Sequence, residues 1–190
     1  IERARSDDAL RSSEQRYALA VAGANDGIWD WDLQTNEVYY SPRWKAILGY
    51  ADDQLANRID EWFDRIDSRD KEVFDESLNQ HLLGLSPYFE CESRLQAQGD
   101  EQRWGLGRGL AVRDEGGQAI RIAGSMTDIP RRKQTEARLL HDAMHDGLTE
   151  LPNRNLFMDR LDLALRRFQR DPSRLFAVLF FDLDRFKLVN

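Results

Sequence analysis

Two carboxylates near the end of the chain have the types and spacing to do chemistry. In LFAVLFFDLDRFKLVN, Asp182 and Asp184 follow a continuous apolar run and are separated by Leu183. An extended chain puts both carboxylates on one side, and oxygen donors at a strand end suit a hard divalent cation. The plainer role is to cap the strand and solvate its end, because short motifs alone are weak signals. A second group is aromatic: Trp29, Trp31, Tyr39, Tyr40, Trp44 and Trp104 either line a small-molecule pocket or pack as core. Arg94, Arg103 and Arg108 can pair with Asp30 or Asp128, meet an anionic ligand, or stay solvated. His145 and Asp146 form a His–acid pair, and Asp146 and Arg154 flank a turn containing Pro152, which an ion pair between them would close.

The elements that must position these groups follow from periodicity. Residues 1–24 carry Leu10, Glu14, Tyr17, Val21 and Ala24 along one stripe, the pattern of an amphipathic helix, either a coiled-coil arm or a helix packed on its own domain. GIWDWDL alternates as a half-buried strand does, and VYY resumes an extended run after the turn residues QTNEV. Ser41, Pro42 and Gly49 bracket a short helix as cap, first position and stop. A longer helix is expected from about Arg69 to Leu83. Then YFECESRLQ, QRWGLGRGLAVRD and AIRIAGSMTDI read as three strands divided by QGDE and DEGGQ. Two strands, helices, then three strands give an α+β plan with an antiparallel sheet. A further helix starts at Pro130 and ends near Gly147, and another covers about Asn155 to Arg170. LFAVLFFDLD reads as a central strand buried on both faces.

Composition narrows the function classes. A net charge of −7 argues against a general grip on nucleic acid, which needs clustered Lys and Arg. The one cysteine, Cys91, excludes an internal disulfide or a thiolate cluster. No apolar run reaches the ~18–20 residues that cross a bilayer, so the expected compartment is the cytoplasm, with a membrane-anchored parent left open. The chain opens on Ile1 and closes on Asn190 directly after an apolar run, which reads as part of a longer polypeptide.

GIWDWDL, VYYSPRWKAILGY, YFECESRL and IRIAGSMTDIPRRK, in that order, resemble the PAS family over about Tyr17 to Lys133. The resemblance implies a five-stranded antiparallel sheet with flanking helices and a space between that can hold a small ligand, with Trp29, Trp31, Tyr40, Trp44, His81 and Trp104 as pocket candidates. The family often ends in Asp-Ile-Thr, whereas Asp128 and Ile129 are followed here by Pro130. HDGLTELPNRNLFMDRL and LFFDLDRFKLVN resemble the beginning of a diguanylate cyclase (GGDEF) domain: Asp146, Leu148, Thr149, Leu151, Asn153 and Arg154 fall in the order of its opening motif, and its signature loop would lie beyond Asn190.

That resemblance divides the chain into an N-terminal helix (1–24), a PAS sensor (25–129), a signalling helix (130–146) and an incomplete α/β cyclase domain (147–190). It implies GTP as substrate and Mg²⁺ as cofactor, the metal held by Asp182 and the carbonyl of Leu183. Backbone N–H groups of Arg185 and Phe186 would meet phosphate, and Asn190 would read the guanine edge. Lys187 has no assigned role. Asp128, Asp146 and Arg154 are its signalling and turn residues. Two copies must face each other, so a homodimer through the PAS part and flanking helices is expected, with this fragment inactive alone.

Other readings stay in view. A histidine kinase would place its phosphoacceptor in mid-helix, but Gly147 stops the helix just after His145. Haem-binding PAS domains take an iron ligand from the helix that carries His81, yet an imidazole near a helix C-terminus readily meets free carbonyls. Flavin photochemistry needs a helical cysteine, and Cys91 lies in a strand pattern. Neither cofactor is expected, and the PAS ligand is not identified. The parent is a cyclase, a phosphodiesterase carrying an EAL domain with this region as regulator, or a dimerisation module without catalysis.

Overall fold

The computed structural model describes residues 15, 16, 19 and 23–181. It divides into two compact units, Ile1–Lys133 and Gln134–Asn190. Most of the expected N-terminal helix and all of 182–190 fall outside the described residues.

The first unit is built on five strands: β1 (Gly27–Asp32), β2 (Val38–Tyr40), β3 (Phe89–Gln96), β4 (Gln102–Arg113) and β5 (Ala119–Asp128). They pair antiparallel in the order β2-β1-β5-β4-β3. Three helices fall between β2 and β3: α1 (Pro42–Ile47), α2 (Asp60–Phe63) and α3 (Ser68–Leu82). The PAS-type α+β plan therefore stands as read, and each strand falls within a run expected to be extended.

Local chemistry explains the joints. The Asp32 carboxylate accepts from the amides of Gln34 and Thr35 at 2.9 Å, closing the β1–β2 turn. Those amides hold its pKa below the ordinary value, Thr35 most of all. Ser41 Oγ accepts from the Trp44 amide as the α1 cap and from the Ile28 amide at 2.8 Å, tying the helix to β1. At the other end Gly49 takes φ 85°, a conformation side chains resist.

Strand alternation sends Trp29 and Trp31 of β1 to one face and Ile28 and Asp30 to the other. The inner face meets the helices through Trp29, Tyr40, Trp44, Trp62, Phe74, Phe89, Ile122 and Met126, all buried. Gly105, Gly107 and Gly109 of β4 make room for them. A Cβ on Gly109 would stand 2.6 Å from the Trp29 ring, and one on Gly107 3.2 Å from both Trp62 and Phe89. The sheet is smooth there so that large rings can lie on it.

Two helices follow, α4 (Pro130–Met144) and α5 (Arg154–Arg170). Beyond α5 the structure departs from expectation. Leu175–Phe181 is not a strand, and Leu175 and Phe181 are 83% and 90% exposed. A strand is held by ladder bonds to neighbours, and among the described residues the second unit contains no strand to pair with it.

Candidate functional site

The aromatic interior is the first candidate. Trp62 touches Trp29 (centroids 4.9 Å), Phe74 (5.4 Å) and Trp44 (6.1 Å), while Tyr40 stacks on Trp44 at 3.9 Å. Edge-to-face packing of this kind suits ring quadrupoles. Of the expected pocket residues, Trp29, Tyr40 and Trp44 therefore pack against one another's neighbours between sheet and helices. The indole Nε1 atoms of Trp29, Trp44 and Trp62 are buried and have no hydrogen-bond partner among the described residues. Burial pushes the Tyr40 phenol well above its ordinary pKa, and its hydroxyl donates to the Arg58 carbonyl at 3.2 Å.

Trp31 packs at the edge of this group, and Trp104 lies outside it. Trp31 sits edge-on to Phe63 and donates its indole N–H to Asn36 at 2.9 Å. Trp104 is half-buried on β4, opposite Arg94 of β3. An open groove of about 650 Å³ lies on the outer face of the sheet, lined by Ile28, Tyr88, Arg108, Leu110 and Ala123 among others, and none of the six expected pocket residues lines it.

His81 is buried near the end of α3. Its Nε2 accepts from the Ala111 amide at 2.9 Å, and its Nδ1 lies 3.0 Å from the Ser86 carbonyl. An accepting Nε2 leaves Nδ1 to carry the hydrogen, so the network assigns one neutral tautomer. Both ring nitrogens thus join α3 to β4 and to the loop beyond the helix. Cys91 is buried beside this core, and desolvation pushes its thiol up to about 11.

The candidate anion-facing arginines each find a carboxylate. Arg94 Nε is 2.8 Å from Asp70, Arg108 Nε is 2.6 Å from Glu90, and Asp30 pairs with Arg121. Arg103 lies 3.1 Å from Glu101 and 3.9 Å from Asp128. Asp128 ends β5 with Oδ1 buried and without a hydrogen-bond partner among the described residues. Burial raises its pKa, against the pull of Arg103 and Arg43. Where a threonine often follows in the family, Pro130 begins α4, and Ile129 makes the joint. Its amide donates to the Trp104 carbonyl at 2.9 Å, and its carbonyl accepts from the Lys133 amide at 3.1 Å.

The turn after α4 is closed differently from expectation. Asp146 accepts from Thr149 Oγ1 at 2.8 Å and from the amides of Thr149 and Leu148, which lower its pKa, Thr149 first. All three donors converge on one oxygen, Oδ1, and among the described residues Asp146 makes no ion pair to Arg154. Asn153 does the fastening instead. It caps α5 through the amides of Asn155 and Leu156 and donates to the Ala143 carbonyl at 2.9 Å. Arg154 is the first residue of α5.

Asp182, Leu183, Arg185, Phe186 and Asn190 lie outside the described residues. Among those described, no cluster of three or more His, Cys, Asp or Glu could hold a metal ion. No described helix is long and apolar enough to cross a membrane. Sequence reasoning missed Trp62, the hub of the aromatic cluster, whose signal was a lone tryptophan in a charged stretch. It also missed Asp70 and Glu92, which looked like ordinary surface acids.

Comparison with known proteins supplies the family. Residues 37–126 match the PAS fold, and residues 143–190 match the diguanylate cyclase, GGDEF domain. The protein y4lL of Sinorhizobium fredii is 28% identical over 190 residues, 96% of this chain. The bifunctional diguanylate cyclase/cyclic di-GMP phosphodiesterase MucR of Pseudomonas aeruginosa is 58% identical over 52 residues, 27% of this chain. The chain spans 22% of the first relative's length and 7% of the second's. A crystal structure of a sensory box histidine kinase/response regulator from Burkholderia thailandensis has 34% identity and a TM-score of 0.59, covering 65% of this chain and 92% of that one. With the PAS sheet and the HDGLTELPNR turn both in place, the chain is a PAS fold leading into the N-terminal part of a diguanylate cyclase, GGDEF domain.

Proposed function

We propose that the PAS part (25–129) regulates synthesis of cyclic di-GMP by a cyclase domain starting at 147, with the helix 130–146 transmitting the signal. The observation that carries this reading is the joint. A single residue, Ile129, separates the last sheet strand from the fifteen-residue α4, and the cyclase motif follows directly. In the cyclase reaction the 3′-hydroxyl of one GTP attacks the α-phosphate of a second, releasing pyrophosphate, so two domains must face each other. Parallel helices from a homodimer would set that approach, and the apolar outer groove offers a face for the PAS parts to pair.

Asp182 and the carbonyl of Leu183 would hold Mg²⁺, since both are hard oxygen donors. The bound ion would stabilise charge developing on the transferring phosphate. Arg185 and Phe186 would present backbone N–H groups to phosphate, and Asn190 would accept and donate at guanine. GTP as substrate places the domains in the cytoplasm, whether or not the parent is anchored in a membrane.

The test is to insert one to four residues after Lys133 in the complete parent and assay cyclic di-GMP formation. Activity should rise and fall with a period of about 3.6 residues; activity indifferent to insertion length would reject the reading. The match to a bifunctional relative favours one alternative, a parent whose main activity is hydrolysis. An intact GGDEF or GGEEF loop after Asn190 supports synthesis, whereas a degraded loop followed by Glu-Ala-Leu supports hydrolysis.

A further inference from the structure

We propose that Arg94, Trp104 and Glu92 form an electrostatic coupling that ties the N-terminus of α3 to the first turn of α4. The coupling rests on the reading of α4 as the transmitting helix and names the residues through which the sensor reaches it.

Arg94, on the edge strand β3, reaches Asp70 in the first turn of α3. Its amide and Nε each lie 2.8 Å from Asp70 Oδ2, and the two side chains are only 20% and 15% exposed. These bonds hold the Asp70 carboxyl below its ordinary pKa, the Arg94 guanidinium contributing most. Arg94 also lies over the Trp104 ring, with Cζ 5.2 Å from the centroid. Lys133, in the first turn of α4, lies over the same ring with Nζ at 4.8 Å. Lys133 and Arg132 both pair with Glu92. The backbone of Trp104 accepts from Ile129, so this residue touches the joint twice.

Two cations gather on one indole with a carboxylate beside each: Asp70 pairs with Arg94, and Glu92 pairs with Lys133 and is shared with Arg132. Glu92 and Arg94 are two residues apart on one strand and so face the same side. When Asp70 moves away or loses its charge, Arg94 becomes an underpaired cation beside Lys133. It then repels Lys133 from the ring and competes with Arg132 and Lys133 for Glu92. Either response loosens the first turn of α4. Since α3 buries Phe74 and Leu78 in the aromatic core, a shift of that core moves Asp70 and is felt at α4.

Amide hydrogen exchange of the 190-residue chain tests the coupling without reference to cyclase activity. Exchange at residues 133–137 should rise about 3- to 10-fold in Asp70→Asn, as in Glu92→Gln. Lys71→Gln, which breaks an exposed pair with Asp75 on the same helix, should leave those rates unchanged. The double variant Asp70→Asn/Glu92→Gln should exchange no faster than the faster single variant. Wild-type rates in Asp70→Asn, or single effects that multiply in the double variant, overturn the coupling. Should Asp70→Asn also loosen β5, Trp104→Leu decides: it spares both ion pairs, and unchanged rates at 133–137 reject the route through the ring. Insertion-independent activity in the parent would reject the cyclase reading while leaving this outcome standing.

Discussion

The two compact units spend their apolar residues in opposite ways. In the first, five strands and three helices enclose a continuous core, with Trp44, Phe89 and Ile122 at 0% exposure. In the second, neither α5 nor the portion of α4 it contains has a buried residue, and Leu139, Leu140 and Leu165 face outward. An apolar helix face gives little stability until something covers it. The first unit therefore carries its own folding free energy, while the described part of the second holds shape mainly through caps and turns.

The strongest way to break that contrast is to empty the core hub. Trp62→Ala should cost about 3–5 kcal/mol, read as a large drop in the urea midpoint. Leu139→Ala in α4 should cost less than about 0.5 kcal/mol and leave the same midpoint nearly unchanged. Equal losses would abolish the distinction between the units.

Overpacking should come next. Gly109→Ala places a methyl group against Trp29 and should destabilise by about 1–3 kcal/mol, with a change in near-ultraviolet circular dichroism as the ring is displaced. A silent substitution would mean the glycine floor is looser than its contacts imply.

Within the first unit, two carboxylates sharpen the comparison by opposing each other. Asp70 has a lowered pKa, so its stabilisation is present above the ordinary value of 3.8 and is lost as pH falls through its folded value. Asp128 has a raised pKa. The folded state therefore holds its proton where the unfolded state has released it, and stability falls as pH rises from 3.8 through the raised value. Asp128→Asn removes a buried charge that Arg103 and Arg43 only partly offset. It should raise stability at pH 7 by on the order of 1 kcal/mol and flatten that pH window. A loss of stability at pH 7 would show the charge is well paired.

The smallest effect on the PAS part comes from a change in the second unit. Asn153→Ala removes the α5 cap, at a typical cost of about 1 kcal/mol to that helix. Far-ultraviolet ellipticity should fall slightly while the urea midpoint of the PAS part stays put.

Much of the fold could be read from residue order because alternation along GIWDWDL and YFECESRL is a local signal. Ser41-Pro42 and Pro130 likewise mark helix starts by their own chemistry. Contacts across long separations were not legible. Asp70 meets Arg94 because α3 runs beside an edge strand, a fact of topology that no spacing encodes. Trp62 sits in a four-residue helix too short to show a period. In place of the expected Asp146–Arg154 pair, Asp146 takes the Thr149 hydroxyl and the amides of its own turn, local donors that the ion-pair reading did not weigh. The apolar run at Leu175 was read as a strand from composition, but a strand is defined by its neighbours. Of the proposed GTP and Mg²⁺ residues, all were legible only through motif order.

Ile129 gives the sheet-to-helix connection almost no slack, since one residue is both the last rung on β4 and the first acceptor of α4. Fifteen helical residues extend about 22 Å, so a tilt of roughly 5° at that hinge swings the far tip by about 2 Å. Leverage, rather than rearrangement, would then carry a sub-ångström slip between strands to a place where catalytic geometry is decided.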